Sequence, residues 1–219
     1  MKVELKRLVV GPIEENCYLV YDEDSAEKKC FLVDPGAGGA RILNAMKALS
    51  LTPAAIYLTH GHFDHIMAVD WLRKEYPDLP VYAYEAEKEV LENPENSLVS
   101  AVAGGYILEN VTYVKDGERL ILAGIPCEVI ATPGHTAGSS CLCLSEEKIL
   151  FSGDTLFLES AGRTDLPTGS TMDLSVSINE VLMKLSDDIK VYPGHGEETS
   201  IGHERKYNFM VMVRKQAEF

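Results

Sequence analysis

The heptapeptide Thr59-His60-Gly61-His62-Phe63-Asp64-His65 narrows the possible folds more than any other part of this sequence. It follows the short apolar run Ala54–Leu58, which reads as a strand. It precedes Ile66, Val69 and Leu72, which repeat with helical spacing. His60 and His62 are two residues apart, so on extended backbone both rings leave the same face and can grip one ion. Asp64 and His65 come as the chain turns into the helix and face a neighbouring position. Imidazole and carboxylate together suit zinc, iron or manganese. So dense a set of potential ligands demands a strand-to-helix junction on a rigid scaffold, and isolated core or surface histidines explain it poorly.

The later histidines extend the pattern. Thr132-Pro133-Gly134-His135-Thr136 ends the expected strand Cys127–Ala131, and Tyr192-Pro193-Gly194-His195-Gly196 ends the expected strand Lys190–Tyr192. Phe151-Ser152-Gly153-Asp154-Thr155 sets a carboxylate just past the strand Ile149–Phe151. Strand ends are where an α/β scaffold gathers its loops around one site. Only His203 is left over, and it reads as a surface residue of the last helix.

The rest of the chain supplies that scaffold. Val3–Val10, Cys17–Tyr21, Cys30–Val33, Val81–Ala83, Val111–Val114, Arg119–Leu122 and Ser140–Leu144 read as strands. Ala40–Leu49 reads as a helix, Glu85–Glu92 as a short charged one, and a helix closes the chain from Ile201. Leu174, Ile178, Val181, Leu182 and Leu185 form an amphipathic face, with Thr171 or Asp173 as its N-cap. Asn93–Tyr106 is the least regular stretch and reads either as a lid or as a packed loop. With no linker or repeat, residues 1–219 are expected to form a single α/β domain with a short C-terminal helix at about 200–219.

Charge and cysteine usage exclude several function classes. Twenty basic against 34 acidic residues leave a net charge of −14, which repels a phosphate backbone, so no nucleic-acid partner is expected. No apolar run reaches the ~18–20 residues of a spanning helix, so no membrane partner is expected. Met1–Asp22 lacks the pattern of a secretory signal. Cys17, Cys30, Cys127, Cys141 and Cys143 are an odd set without a CxxC pair. They read as reduced thiols of a cytoplasmic protein rather than as zinc ligands.

HxHxDH, then PGHT, SGDT and PGHG, in this order, resemble the metallo-β-lactamase-fold hydrolases from about Asp34 to His195. The resemblance implies a four-layer αβ/βα sandwich with two divalent metal ions, zinc first and iron or manganese as alternatives, at one edge between two sheets. It implies that His60, His62 and His135 hold one ion, that Asp64, His65 and His195 hold the other, and that Asp154 bridges them. Asp34, in Val33-Asp34-Pro35-Gly36, matches a position that supports the site from behind the ligands. Exported β-lactamases usually carry cysteine where this chain has Asp154, and the diiron flavoproteins place glutamate where His62 stands. Gly162-Arg163-Thr164-Asp165 is similar to the substrate loop of short bacterial glyoxalase II-like enzymes.

That branch implies a bridging hydroxide, oriented by Asp64, attacking a small thioester such as a hydroxyacyl-thiol. Arg163 is the candidate for holding a substrate carboxylate, with a loop-fixing salt bridge as its other reading. The alternatives are a mononuclear-iron persulfide or sulfur dioxygenase, which shares the Gly-Arg-Thr-Asp motif, and a non-catalytic metal-binding protein. Leu166-Pro167 and Pro193-Gly194-His195 depart from the dioxygenase pattern and favour the hydrolase.

Overall fold

The computed structural model describes residues 1–212. Its strands are β1 (Val3–Val10), β2 (Glu15–Asp22), β3 (Lys29–Val33), β4 (Thr52–Leu58), β5 (Val81–Tyr84), β6 (Val111–Val114), β7 (Arg119–Leu122), β8 (Ile125–Ala131), β9 (Ser140–Leu144), β10 (Ile149–Gly153), β11 (Leu156–Phe157), β12 (Ser160–Ala161), β13 (Lys190–Pro193) and β14 (Thr199–Ser200). The helices are α1 (Gly39–Ala48), α2 (Phe63–Ile66), α3 (Val69–Glu75), α4 (Lys88–Leu91), α5 (Ser100–Ala103), α6 (Thr171–Val176) and α7 (Ile201–Tyr207). The part of the expected terminal helix beyond residue 212 lies outside the described residues.

One sheet runs in the order β1-β2-β3-β4-β5-β6 and the other in the order β14-β13-β10-β9-β8-β7. In β2, Cys17 and Leu19 face outward onto Ile42 and Met46 of α1 and Val69 and Leu72 of α3. Tyr18 and Val20 face inward, where they join Phe31, Val33 and Tyr57 against Val129, Leu142, Leu144 and Phe151 of the second sheet. The outer face of that second sheet, with Cys141, Cys143, Leu150 and Val191, is covered by Leu174, Ile178 and Leu182. Strands buried on both faces read as near-continuous apolar runs, which is what Cys30–Val33 and Ser140–Leu144 are. The result is the four-layer helix–sheet–sheet–helix sandwich expected from the motifs. All five cysteines are unpaired and buried.

The sheet directions decide where the loops go. β3 and β4 are parallel, so Asp34 and Thr59 leave the first sheet at the same edge. In the second sheet β8 and β10 each run antiparallel to β9, and β13 runs parallel to β10. The C-terminal ends of β8, β10 and β13 therefore share one edge, and each carries one of the ligand motifs.

One expectation is corrected. The N-cap before Leu174 is Ser170, whose hydroxyl accepts the Asp173 N–H at 3.2 Å, rather than Thr171 or Asp173. Within Asn93–Tyr106, which contains α5, Ser97 and Val99 are buried and the Phe63 N–H donates to the Ser97 carbonyl at 2.9 Å, while residues 101–105 are exposed.

Candidate metal centre

Four of the five histidines of the edge cluster are aimed by a hydrogen bond at the far nitrogen. Asp34 accepts the Thr59 N–H at 2.8 Å and the Thr59 hydroxyl at 2.6 Å. With its only proton given to Asp34, the Thr59 oxygen lies 3.2 Å from His60 Nδ1 as an acceptor, so His60 presents a bare Nε2. His65 Nδ1 donates to Asp34 at 2.9 Å, His135 Nδ1 to the Arg163 carbonyl at 2.8 Å, and His195 Nδ1 to the Ile13 carbonyl at 3.1 Å. Such outer partners fix tautomer and ring orientation in metal sites. His62 differs: its Nδ1 faces His135 Nε2 at 2.9 Å.

The rings of His60, His62 and His135 pack with centroids 4.6–4.8 Å apart. One ligand atom from each of these three residues falls within 4.8 Å of the others, and the same holds for Asp64, His65 and His195. Asp64 Oδ2 lies 3.1 Å from His195 Nε2 and 3.4 Å from His65 Nε2. Asp154 stands between the two groups, with Oδ1 3.5 Å from His65 Nε2 and Oδ2 3.6 Å from His135 Nε2 and 3.7 Å from His195 Nε2. The structure thus brings all seven expected ligands to one place, with Asp34 behind them.

This cluster fits metal ions on chemical grounds. His60 Nε2, His65 Nε2 and Asp154 Oδ1 are buried with no hydrogen-bond partner among the described residues. Buried polar atoms are normally satisfied, and each orphan costs about 1–3 kcal/mol. Convergent orphaned lone pairs are what a divalent cation satisfies. Gly194 makes room for them: a Cβ there would come 2.3 Å from Asp154 Oδ1 and 2.7 Å from His65 Cε1.

The two groups differ in charge. Burial, reinforced by the neighbouring imidazoles, holds His60 well below the usual histidine range and His62 down at about 3. Burial also works against a charged His65, but Asp64, Asp154 and Asp34 outweigh it and hold this residue well above the usual range. For Asp64 burial favours the neutral acid, yet His65 and His195 prevail and keep its carboxyl far below the ordinary carboxylate range. His60 and His62 are thus held as neutral imidazoles, whereas the second group contains a cation–carboxylate pair.

The Metallo-beta-lactamase superfamily model matches residues 10–195. The chain belongs to this superfamily. Within it, the chain is 33% identical over 210 residues to hydroxyacylglutathione hydrolase GloC of Haemophilus influenzae, covering 95% of this chain and 97% of that protein. It is similar to the solved structure of the BLEG-1 B3 metallo-beta-lactamase, with 36% identity, a TM-score of 0.87, and 95% of this chain and 99% of that one covered. It is also similar to TTHA1623 in a di-iron-bound form, with 35% identity, a TM-score of 0.80, and coverage of 93% and 98%. This superfamily member is accordingly a metallo-hydrolase in class, with a histidine–aspartate centre suited to metal.

Arg163 sits differently from the carboxylate-holding expectation. Its guanidinium is exposed and bound to Asp165 through two contacts of 2.7 and 2.8 Å, the loop-fixing arrangement, while its backbone carbonyl orients His135. His203 is partly exposed and paired with Glu159 at 2.9 Å. Sequence reasoning passed over Asn16, whose side-chain amide donates to the Pro193 and Gly196 carbonyls at 3.0 Å each and ties down the His195 loop. It also passed over Glu15, a buried carboxyl without a partner near Gly36 and Asp64, and Glu87. Glu87 shares a helical face with the apolar Val90 and Leu91 at i+3 and i+4, and that spacing was the available signal.

Proposed function

We propose that the protein is a dinuclear-metal thioester hydrolase acting on a small hydroxyacyl-thiol, with zinc, iron or manganese in the two adjoining groups. The observation that carries this reading is Asp154 standing between two complete three-residue groups, His60–His62–His135 and Asp64–His65–His195. When bound, two divalent ions would lower the pKa of a shared water toward neutrality and polarise the thioester carbonyl. Asp64, anionic and 3.1 Å from His195, orients that water as its acceptor. His60, His65, His135 and His195 turn Nε2 toward the centre because their Nδ1 atoms are engaged behind it, and His65 and His195 would give up a proton there to an entering ion. The similarity to the Haemophilus hydroxyacylglutathione hydrolase supports a thioester substrate. Arg163 would meet a substrate carboxylate only after leaving Asp165. A cytoplasmic setting accords with five unpaired cysteines, and a small molecule, not nucleic acid, is the partner that a net charge of −14 suits.

A second reading, β-lactam hydrolysis, is favoured by the similarity to BLEG-1. The single-iron dioxygenase reading leaves the Asp64–His65–His195 group without a task. The deciding experiment combines metal content per chain, on protein purified with and without oxygen, with a panel of hydroxyacyl-thioesters and β-lactams. About two ions per chain and turnover of a thioester above any β-lactam are the expected result. A single iron that supplementation cannot supplement, with oxygen-dependent sulfur oxidation, overturns the proposal.

A further inference from the structure

Glu87 is fully buried. It sits in the single 3-10 turn Glu85–Glu87 between β5 and α4, and it supplies no ligand atom. Its Oε1 accepts the Gly61 N–H at 2.6 Å, from the peptide between His60 and His62. Its Oε2 accepts the Thr136 hydroxyl at 2.7 Å, from the residue after His135. The Gly138 N–H reaches the same carboxyl. Behind this contact Thr136 and Ser139 are locked to each other, with hydroxyls 2.8 Å apart and the Thr136 N–H on Ser139 Oγ at 3.0 Å. The turn lies so close that a Cβ at Gly138 would come 2.0 Å from the Glu87 nitrogen.

A buried carboxyl is costly, and apolar packing at this place would do without it. Every donor that Glu87 meets belongs to one of the two loops that carry His60, His62 and His135. Those loops come from different sheets, β4 in the first and β8 in the second. The roots of the two loops are joined by the Ser140 N–H on the Thr59 carbonyl at 2.9 Å, and farther out, at Gly61 and Thr136, the Glu87 side chain spans them.

We propose that Glu87 is a positioning residue, a strut whose one carboxyl fixes the His60-Gly61-His62 segment against the His135 turn and so sets the first three-histidine group at ion-binding distance. The inference rests on reading these histidines as metal ligands, and it is independent of the thioester chemistry. Second-layer contacts of this kind are typically worth 10–100-fold in metal affinity.

Two pairs of variants test it on the full chain, stripped with chelator and titrated with cobalt(II) against a competing chelator. Glu87→Leu removes the strut at similar volume, and Glu87→Gln keeps both contacts, since Thr136 and Ser139 hydroxyls can rotate to accept its amide. Thr136→Val removes one contact, and Thr136→Ser restores it. E87L is expected to weaken one cobalt equivalent about 10–100-fold and to alter its visible absorption, with the other equivalent less affected. E87Q and T136S should return both readouts to near the parent values, and T136V should lie between. Should E87L fail to fold, the Thr136 pair carries the same comparison. A lower unfolding midpoint of the metal-free variants with unchanged cobalt affinity and spectrum overturns the strut. A parent protein that binds no cobalt overturns the metal-centre reading itself, a result distinct from any variant effect.

Discussion

Asp34 holds His65 by its Nδ1 proton at 2.9 Å while the opposite nitrogen of the ring faces Asp64 and Asp154. Asp34 adopts a left-handed backbone with φ of 49°, a conformation that asparagine tolerates nearly as well. Asp34→Asn therefore isolates the carboxylate from the backbone. It should weaken metal binding at the Asp64–His65–His195 group by about 10–100-fold, and it should weaken the His60 group too, because the same carboxylate takes the Thr59 proton that sets the His60 tautomer. Chelator competition on the stripped protein measures both affinities.

The charge difference between the two groups predicts different proton accounting. Near neutral pH His60 and His62 are already neutral, because both are held below the usual range, so an ion entering their group displaces no proton from them. His65 and His195 are held above it and must each give up a proton to offer a lone pair. Affinity at the second group should fall more steeply as pH drops than affinity at the first. Titration calorimetry in buffers of unequal ionisation enthalpy reads the protons released with each equivalent, and equal release from both would contradict the assignment.

Gly194→Ala should separate the metal centre from the scaffold. The added methyl meets Asp154 Oδ1 and His65 Cε1, both on the centre, rather than the apolar core. Overpacking of this kind costs about 1–3 kcal/mol of stability. The metal-free variant should therefore still fold, with a modestly lower midpoint in denaturant, while tight metal binding is lost at both groups. Elemental analysis beside a denaturant titration checks the two halves of this expectation.

Glu87 also gives the metal-free protein a pH dependence of known sign. Burial pushes its carboxyl from about 4.5 up to about 8, against the opposing hydrogen bonds of Thr136, Gly61 and Gly138. Between those values the folded chain holds a proton that the unfolded chain has lost. Stability from this group is thus complete below about 4.5 and is lost as pH rises through about 8. Glu87→Gln removes that ionisation and should flatten the decline across this window. Denaturation of both proteins at several pH values tests it, and parallel curves would reject it.

The candidate ligands were legible because each lies in a short motif of dense or distinctive chemistry at a strand end. The alternation of His60 and His62 on extended backbone placed two rings on one face, and their centroids lie 4.8 Å apart. Pro-Gly before His135 and His195 marked strand ends, and the sheet directions bring those ends together. The supporting contacts were not legible in the same way. Arg163 was read through its charge, whereas its part in the centre is played by a backbone carbonyl that any residue would offer. Ile13 acts on His195 in the same manner. Asn16 and Glu87 reach partners 177 and 26 residues away, and periodicity carries no information about such pairings. The Ser170 cap was missed because Thr171 and Asp173, also good capping types, lie within three residues of it.

The five buried thiols have a chemical consequence for an enzyme whose product would itself be a thiol. Burial pushes Cys30, Cys127 and Cys141 up to about 12, and Cys17 and Cys143 also above their ordinary value. Thiolate is the species that exchanges with disulfides, so the folded chain is a poor partner for mixed-disulfide formation. On the thioester reading, a released thiol, or its oxidised form, would leave without being captured by the protein. The folded enzyme is likewise silent toward a thiol-reactive dye, which makes dye colour a count of turnover, and a sudden sulfur burst from the protein marks its unfolding.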